Sequence, residues 1–198
     1  MTNPTEKIAV LGAGTMGAGI AQVAAQAGFD TLLYDIKQEF IETGLGRIRG
    51  FLKGSRERGK LSAEQEQQIL ERLHSSTELA DCGGSALVIE AAPEKLELKR
   101  DIFKQLDSFC GPETLLASNT SSFSVTAIAA NTQHQERVLG LHFFNPPPLM
   151  ALVEVVQGDR TSQAVIDRAT DLMRRMGKTP ARAKDTPGFI VNRIARPF

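Results

Sequence analysis

The stretch Lys7-Ile-Ala-Val-Leu-Gly-Ala-Gly-Thr-Met-Gly17 restricts this chain more than any other. An apolar run of strand character meets three glycines spaced GxGxxG, and a helical pattern follows at once. Gly12 permits a tight turn, Gly14 lets a ligand approach the backbone, and Gly17 lets the helix pack close to the strand. The helix opening at Thr15, Met16 and Gly17 presents unpaired N–H groups and a positive dipole end, which suits a pyrophosphate. Asp35 closes the next strand-like run, 23 residues after Gly12. A carboxylate there accepts hydrogen bonds from a ribose 2′-hydroxyl and repels a 2′-phosphate, so NAD is expected over NADP.

Strand-like runs recur at Thr31–Asp35, Ala86–Ala91, Leu115–Ser118, Val138–Phe143, Leu152–Val156 and Thr179–Ala183. Most are continuously apolar, as in strands covered by helices on both faces. Helical patterns lie between them at Met16–Ala27, Lys37–Arg58, Ala63–Leu73, Lys95–Phe109, Val125–Ala130 and Ser162–Met176, and Ser62-Ala-Glu-Gln65 reads as a capping box. The expected fold is α/β, a Rossmann-type doubly wound, mostly parallel sheet. Asp185-Thr-Pro-Gly188 is a turn signal, and the apolar FIVNRIARPF after it reads as a helix. Residues 1–186 are therefore read as the dinucleotide-binding domain, and 187–198 as only the first helix of a C-terminal helical domain.

Composition narrows the partners. Lys+Arg and Asp+Glu are 23 each, which gives no case for nucleic acid or an anionic membrane. Ile8 to Phe29 carries no charge, but five glycines and two glutamines interrupt it, so a transmembrane helix is not expected. MTNPTEK leads straight into the first strand, so neither a signal peptide nor an upstream domain is expected. Two cysteines, Cys82 and Cys110, and three scattered histidines form neither a disulfide framework nor a metal site; a reducing, cytoplasmic setting fits.

The stretch LGLHFFNPPPLMALVEVV, Leu139 to Val156, carries His142 and Glu154 in two apolar runs separated by Pro146-Pro147-Pro148. An isolated strand histidine is usually a satisfied core residue. A lone ionised carboxylate in an apolar strand, however, is costly unless paired. The proline corner could fold one run against the other and make His142 that partner. A carboxylate orients a histidine, fixes its tautomer and favours its protonated form, which makes a general base or acid. Beside a dinucleotide site, such a pair suits oxidation of an alcohol. Ser121, His142 and Glu154 also hold the residue types of a hydrolase triad, but no GxSxG elbow is present and the chain order is wrong.

GAGTMGAGIA, IEAAPEKLELK, SNTSS, LHFFNP, a glutamate twelve residues after the histidine, and DTPGFIVNR occur in that order. Together they resemble the L-3-hydroxyacyl-CoA dehydrogenases, including the bacterial 3-hydroxybutyryl-CoA dehydrogenases, over essentially the whole chain. The resemblance implies NAD-linked interconversion of 3-hydroxyacyl-CoA and 3-oxoacyl-CoA. It makes His142 the base and Glu154 its partner, gives Ser121 the substrate's 3-oxygen, and gives Asn192 the acyl portion. It makes Glu94, Lys99 and Asn145, with Ser121, contacts around the nicotinamide half. It also implies a further helical domain that dimerises and closes the cleft, so a homodimer is expected only with that domain. Without it, the alternative is an NAD-binding module with little turnover.

Arg47, Arg49, Lys53, Arg56, Arg58 and Lys60 crowd fourteen residues opposed only by Glu57. Such a run is usually a solvated face. The resemblance offers a second reading, a clamp for coenzyme A phosphates that includes Arg58. Phe51 stands where relatives carry a serine, and Arg58 where they carry a lysine.

Overall fold

The computed structural model describes residues 6–195. Strands β1 (Lys7–Leu11), β2 (Asp30–Tyr34), β3 (Leu73–Ser76), β4 (Leu87–Glu90), β5 (Leu115–Ser118), β6 (Val138–Phe143), β7 (Leu152–Gln157) and β8 (Thr179–Lys184) form one sheet. Its order is β3-β2-β1-β4-β5-β6-β7-β8. Every neighbouring pair is parallel except β6 and β7. The chain runs outward from β1 in one direction and later resumes at β4 on its other side. The crossover leaves a crevice at the carboxyl ends of β1 and β4, where ligands of open α/β sheets bind.

The helices are α1 (Thr15–Gln26), α2 (Gln38–Glu57), α3 (Ala63–Glu71), α4 (Leu96–Phe109), α5 (Val125–Ala129), α6 (Gln163–Arg175) and α7 (Val191–Ala195). Alternate residues of each strand serve opposite faces. Ile8 and Val10 join the core under α1, α2 and α6, while Ala9 and Leu11 join the core under α4 and α5. This two-sided burial is why the strands read as unbroken apolar runs. The Ser62 capping box is present, with the Ser62 hydroxyl accepting from the Gln65 amide and the Gln65 side chain accepting from the Ser62 amide. No helix among the described residues is long and apolar enough to cross a membrane.

Two expectations need correction. The third helix was expected to reach Leu73, but it ends at Glu71, and Leu73–Ser76 is an eighth strand on the open edge beside β2. An edge strand needs little apolar surface, and Leu-His-Ser-Ser carries almost none, so no strand pattern announces it. Asp35 lies one residue past β2 rather than within it. The expected tail helix begins with α7, and residues 196–198 lie outside the described residues.

Asp185, read in the sequence only as part of a turn, holds the far end of the sheet to α5. Its carboxylate accepts from the Ser124 and Thr126 hydroxyls at 2.6 and 2.7 Å and from the Val125 and Thr126 amides at 2.9 and 2.8 Å. Burial alone would push this carboxyl up; the bonds from Ser124 and Thr126 outweigh it and hold it below the usual aspartate range. A depressed folded-state pKa gives stability that is complete above the unfolded value, about 3.9, and is lost as pH falls through the folded value. Asp185→Asn should therefore cost about 1–2 kcal/mol at pH 7, the scale of a lost helix cap. Urea unfolding across pH should show that difference shrinking below about pH 4.

Candidate active site

The glycine turn closes as its spacing demands. Gly12 has φ 97°, and its amide bonds the Tyr34 carbonyl at 2.8 Å. A side chain at Gly12 would sit 2.6 Å from the Ala91 carbonyl oxygen, and one at Gly17 would collide with the carbonyl of Gly12. Gly14 is different, with open space where its Cβ would be. It caps α1 without any side-chain hydrogen bond, and the first turn carries no acid. The amides of the first turn thus give this end of α1 a positive potential. Asp35 sits against the same turn, its Oδ2 accepting from the Ala13 amide and its Oδ1 from the Ile36 amide, both at 2.7 Å. These residues fit a dinucleotide: Gly12, Gly14, Thr15, Met16 and Gly17 for the pyrophosphate, and Asp35 for a ribose.

Around the end of β4, two carboxylates share one lysine. Glu90, fully buried, accepts from Lys99 Nζ at 2.7 Å, the Ala92 amide at 2.7 Å and the Ser118 hydroxyl at 2.6 Å. Lys99, only 1% exposed, also reaches Glu94 at 3.1 Å. Glu94 in turn accepts from the Thr120 and Ser122 hydroxyls and from the Ser121 amide. Burial raises the Glu94 carboxyl, but the Thr120 bond, the Lys99 charge and the Ser122 bond outweigh it and hold it low. Glu94 therefore stays ionised and pins the loop that carries Ser121. Lys99, expected at the cofactor, is held by these two carboxylates and is not among the residues that line the cleft described below.

β6 and β7 pair antiparallel with His142 directly opposite Glu154. Opposite residues of such a pair share one face, and the proline corner supplies the reversal. His142 Nδ1 lies 2.6 Å from Glu154 Oε2. With Nδ1–H donated to the carboxylate, Nε2 is the nitrogen free to exchange a proton. Glu154 is wholly buried, and its Oε1 accepts the Ile190 and Val191 amides, each at 2.9 Å. Three donors thus meet this buried charge, which removes most of its desolvation cost.

These parts converge. A cleft of about 380 Å³ is lined by Met16, Glu94, Ser121, His142, Asn145 and Asn192, with Asn119 among the remainder. Asn192 Nδ2 donates to the Ser121 carbonyl at 3.2 Å. Asn119, unnoticed in the sequence, accepts the Phe143 amide at 2.9 Å and so ties the strand end beside His142 to the serine loop. Arg58 lies elsewhere, at the end of α2, with its guanidinium folded over Gly54. Of the same basic run, Arg56 pairs with Glu66 at 2.9 Å and Arg47 donates to the Ala13 carbonyl at 3.3 Å.

A sheet crossing over beneath an uncapped, glycine-opened helix, with an acid at the neighbouring strand end, defines a dinucleotide-binding α/β domain. Within that class the chain belongs to the 3-hydroxyacyl-CoA dehydrogenase family. Residues 7–186 match the family model described as 3-hydroxyacyl-CoA dehydrogenase, NAD binding domain. The chain is 50% identical over 193 residues to a 3-hydroxyadipyl-CoA dehydrogenase of Escherichia coli, covering 98% of this chain and 41% of that protein. It is 46% identical to a probable 3-hydroxybutyryl-CoA dehydrogenase of Deinococcus radiodurans, covering 97% of this chain and 69% of that protein. A crystal structure of 3-hydroxybutyryl-CoA dehydrogenase from E. coli K12 superposes with a TM-score of 0.96 at 49% identity, covering 99% of this chain and 42% of that one. The chain thus spans less than half the length of two of these three relatives.

Proposed function

We propose that this chain forms the NAD-binding, proton-transferring half of a dehydrogenase that interconverts L-3-hydroxyacyl-CoA and 3-oxoacyl-CoA. The observation that carries the reading is the His142–Glu154 pair opening on the cleft that Ser121 and Asn192 also line. In the oxidising direction, His142 Nε2 accepts the proton of the substrate's 3-hydroxyl. Glu154 holds Nδ1–H and balances the imidazolium that results. The Ser121 hydroxyl bonds the reacting oxygen, and Asn192 positions the acyl group beside it. Glu94 and Asn145 shape the wall toward the nicotinamide half, and Lys99 supports Glu94 from behind. NAD, when bound, supplies the hydride acceptor. The acyl-CoA partner follows from this reading, with Arg58 as the proposed contact for a coenzyme A phosphate.

A second reading is favoured by the 41% coverage of the E. coli relative. In it, this chain is an NAD-binding module that turns over little without further sequence. Calorimetric titration with NAD and NADP, beside a steady-state assay with 3-hydroxybutyryl-CoA, separates the two. NAD should bind at least about tenfold tighter than NADP, because a carboxylate in contact with a phosphate costs on the order of 1 kcal/mol per charge even in water. Equal affinities remove the role given to Asp35. NAD-linked oxidation of 3-hydroxybutyryl-CoA supports the dehydrogenase reading, and tight NAD binding without turnover supports the module.

A further inference from the structure

Phe189 holds a left-handed backbone, φ 48°, the only non-glycine residue to do so among those described. A bulky side chain is rarely found there. Such strain costs on folding and persists only where the surroundings over-determine it, commonly at functional sites. The surroundings here are the two members of the proposed proton-transfer pair. The Phe189 ring, 4% exposed, has its centroid 5.7 Å from that of the His142 imidazole, tilted by 58°. The Phe144 ring lies 4.6 Å from the same imidazole. The next two amides, Ile190 and Val191, are the ones that donate to Glu154.

Gly188, just before, has φ 74°, and a Cβ there would meet the Arg193 amide nitrogen at 2.9 Å. The Phe189 amide itself is tied to the Thr186 carbonyl at 2.9 Å. One tight left-handed turn therefore delivers a ring to the histidine and two N–H groups to its carboxylate. Apolar packing alone would need neither the strain nor the two donors.

We propose that Phe189 is a positioning residue for the His142–Glu154 pair. Its ring sets the plane of the imidazole, and its strained turn aims two amides at Glu154, so that Nδ1–H stays on the carboxylate and Nε2 faces the cleft. The proposal rests on the proton-transfer role given to that pair above, and its test reads the pair directly as well as through turnover.

The chain has three histidines, His74, His134 and His142, so ¹⁵N-histidine labelling gives a spectrum that His142→Gln assigns by loss of one ring. In the unaltered chain, His142 should show one tautomer with a protected Nδ1–H. Phe189→Gly relieves the backbone strain and removes the ring. Gly188→Ala keeps the ring and breaks the turn. Each should lose the protected Nδ1–H signal and lower kcat by about ten- to hundredfold, the scale for removing a partner that orients a functional imidazole. KM for NAD should not move. Phe189→Leu restores apolar volume without a ring; it should keep the melting temperature and still lose the signal. Full signal and rate in Phe189→Leu overturns the proposal, since filling the core would then be all that Phe189 does. Should Phe189→Gly not fold, an unchanged His142 signal in Gly188→Ala overturns it equally. Loss of the signal in the variants of a chain that binds NAD but shows no turnover supports the positioning and removes the dehydrogenase reading instead.

Discussion

His142→Gln is expected to cut the rate of 3-hydroxyacyl-CoA oxidation by about 10²–10⁴-fold, the usual contribution of a general base, while NAD affinity stays within about twofold. Glutamine is close to histidine in reach, and its amide can donate to Glu154 Oε2 in place of Nδ1–H. Glu154 also keeps the Ile190 and Val191 amides at its other oxygen, so the buried carboxylate is not orphaned and the sheet should persist. The dinucleotide cradle rests on other residues, the uncapped start of α1 and Asp35 beside it. What glutamine lacks is a nitrogen that takes up a proton. The loss should therefore fall on kcat, with KM for both substrates little changed, the pattern of an interaction made in the transition state. Stopped-flow hydride transfer and NAD titration on the same preparation check both halves. A variant that turns over near the unaltered rate removes His142 from the chemistry.

The difference between what could and could not be read in advance follows chain separation and geometry. The glycine turn was legible because each glycine answers a local steric demand, visible again in the collisions a Cβ would suffer at Gly12 and Gly17. The His142–Glu154 pair was legible because two polar residues in apolar runs flank three prolines, and a reversal there puts them opposite one another. Glu90 was not. An acid at the end of an apolar strand, followed by Ala-Ala-Pro, looks like a surface residue, and its partners Ser118 and Lys99 come from β5 and α4. Lys99 was noticed, but its spacing on the apolar face of a helix could not say whether Nζ met a cofactor or a buried acid. Asp185 and Phe189 were read as a turn and an apolar tail for the same reason. Their partners lie about sixty and fifty residues away in sequence, at Ser124, Thr126 and His142. β3 escaped because an edge strand of Leu-His-Ser-Ser carries no periodicity to detect.

Lys99→Met should be the most destabilising single change proposed for this chain, at about 3–5 kcal/mol, the scale for removing one member of a buried ion pair. Methionine fills the same channel, so little cavity is made. The cost falls on Glu90, which keeps the Ala92 amide and the Ser118 hydroxyl but loses the cation paired with it while wholly buried. Glu94 also loses the lysine, but it is 37% exposed and keeps three donors from the 120–122 loop, so it contributes less. For a chain of this size the melting temperature should fall by roughly 10 °C. Adding Glu90→Gln removes the stranded charge, and the double variant should recover more than half of the loss. That recovery is a coupling energy that a cycle of the two single variants and the double variant measures directly. Lys99→Met melting within about 1 kcal/mol of the unaltered chain, or a double variant worse than Lys99→Met alone, shows that Glu90 does not depend on the lysine. NAD titration of Lys99→Met well below its melting point then separates the two roles Lys99 could have. Affinity should hold if the lysine acts only through Glu90 and Glu94, and should drop if its charge is felt in the cleft.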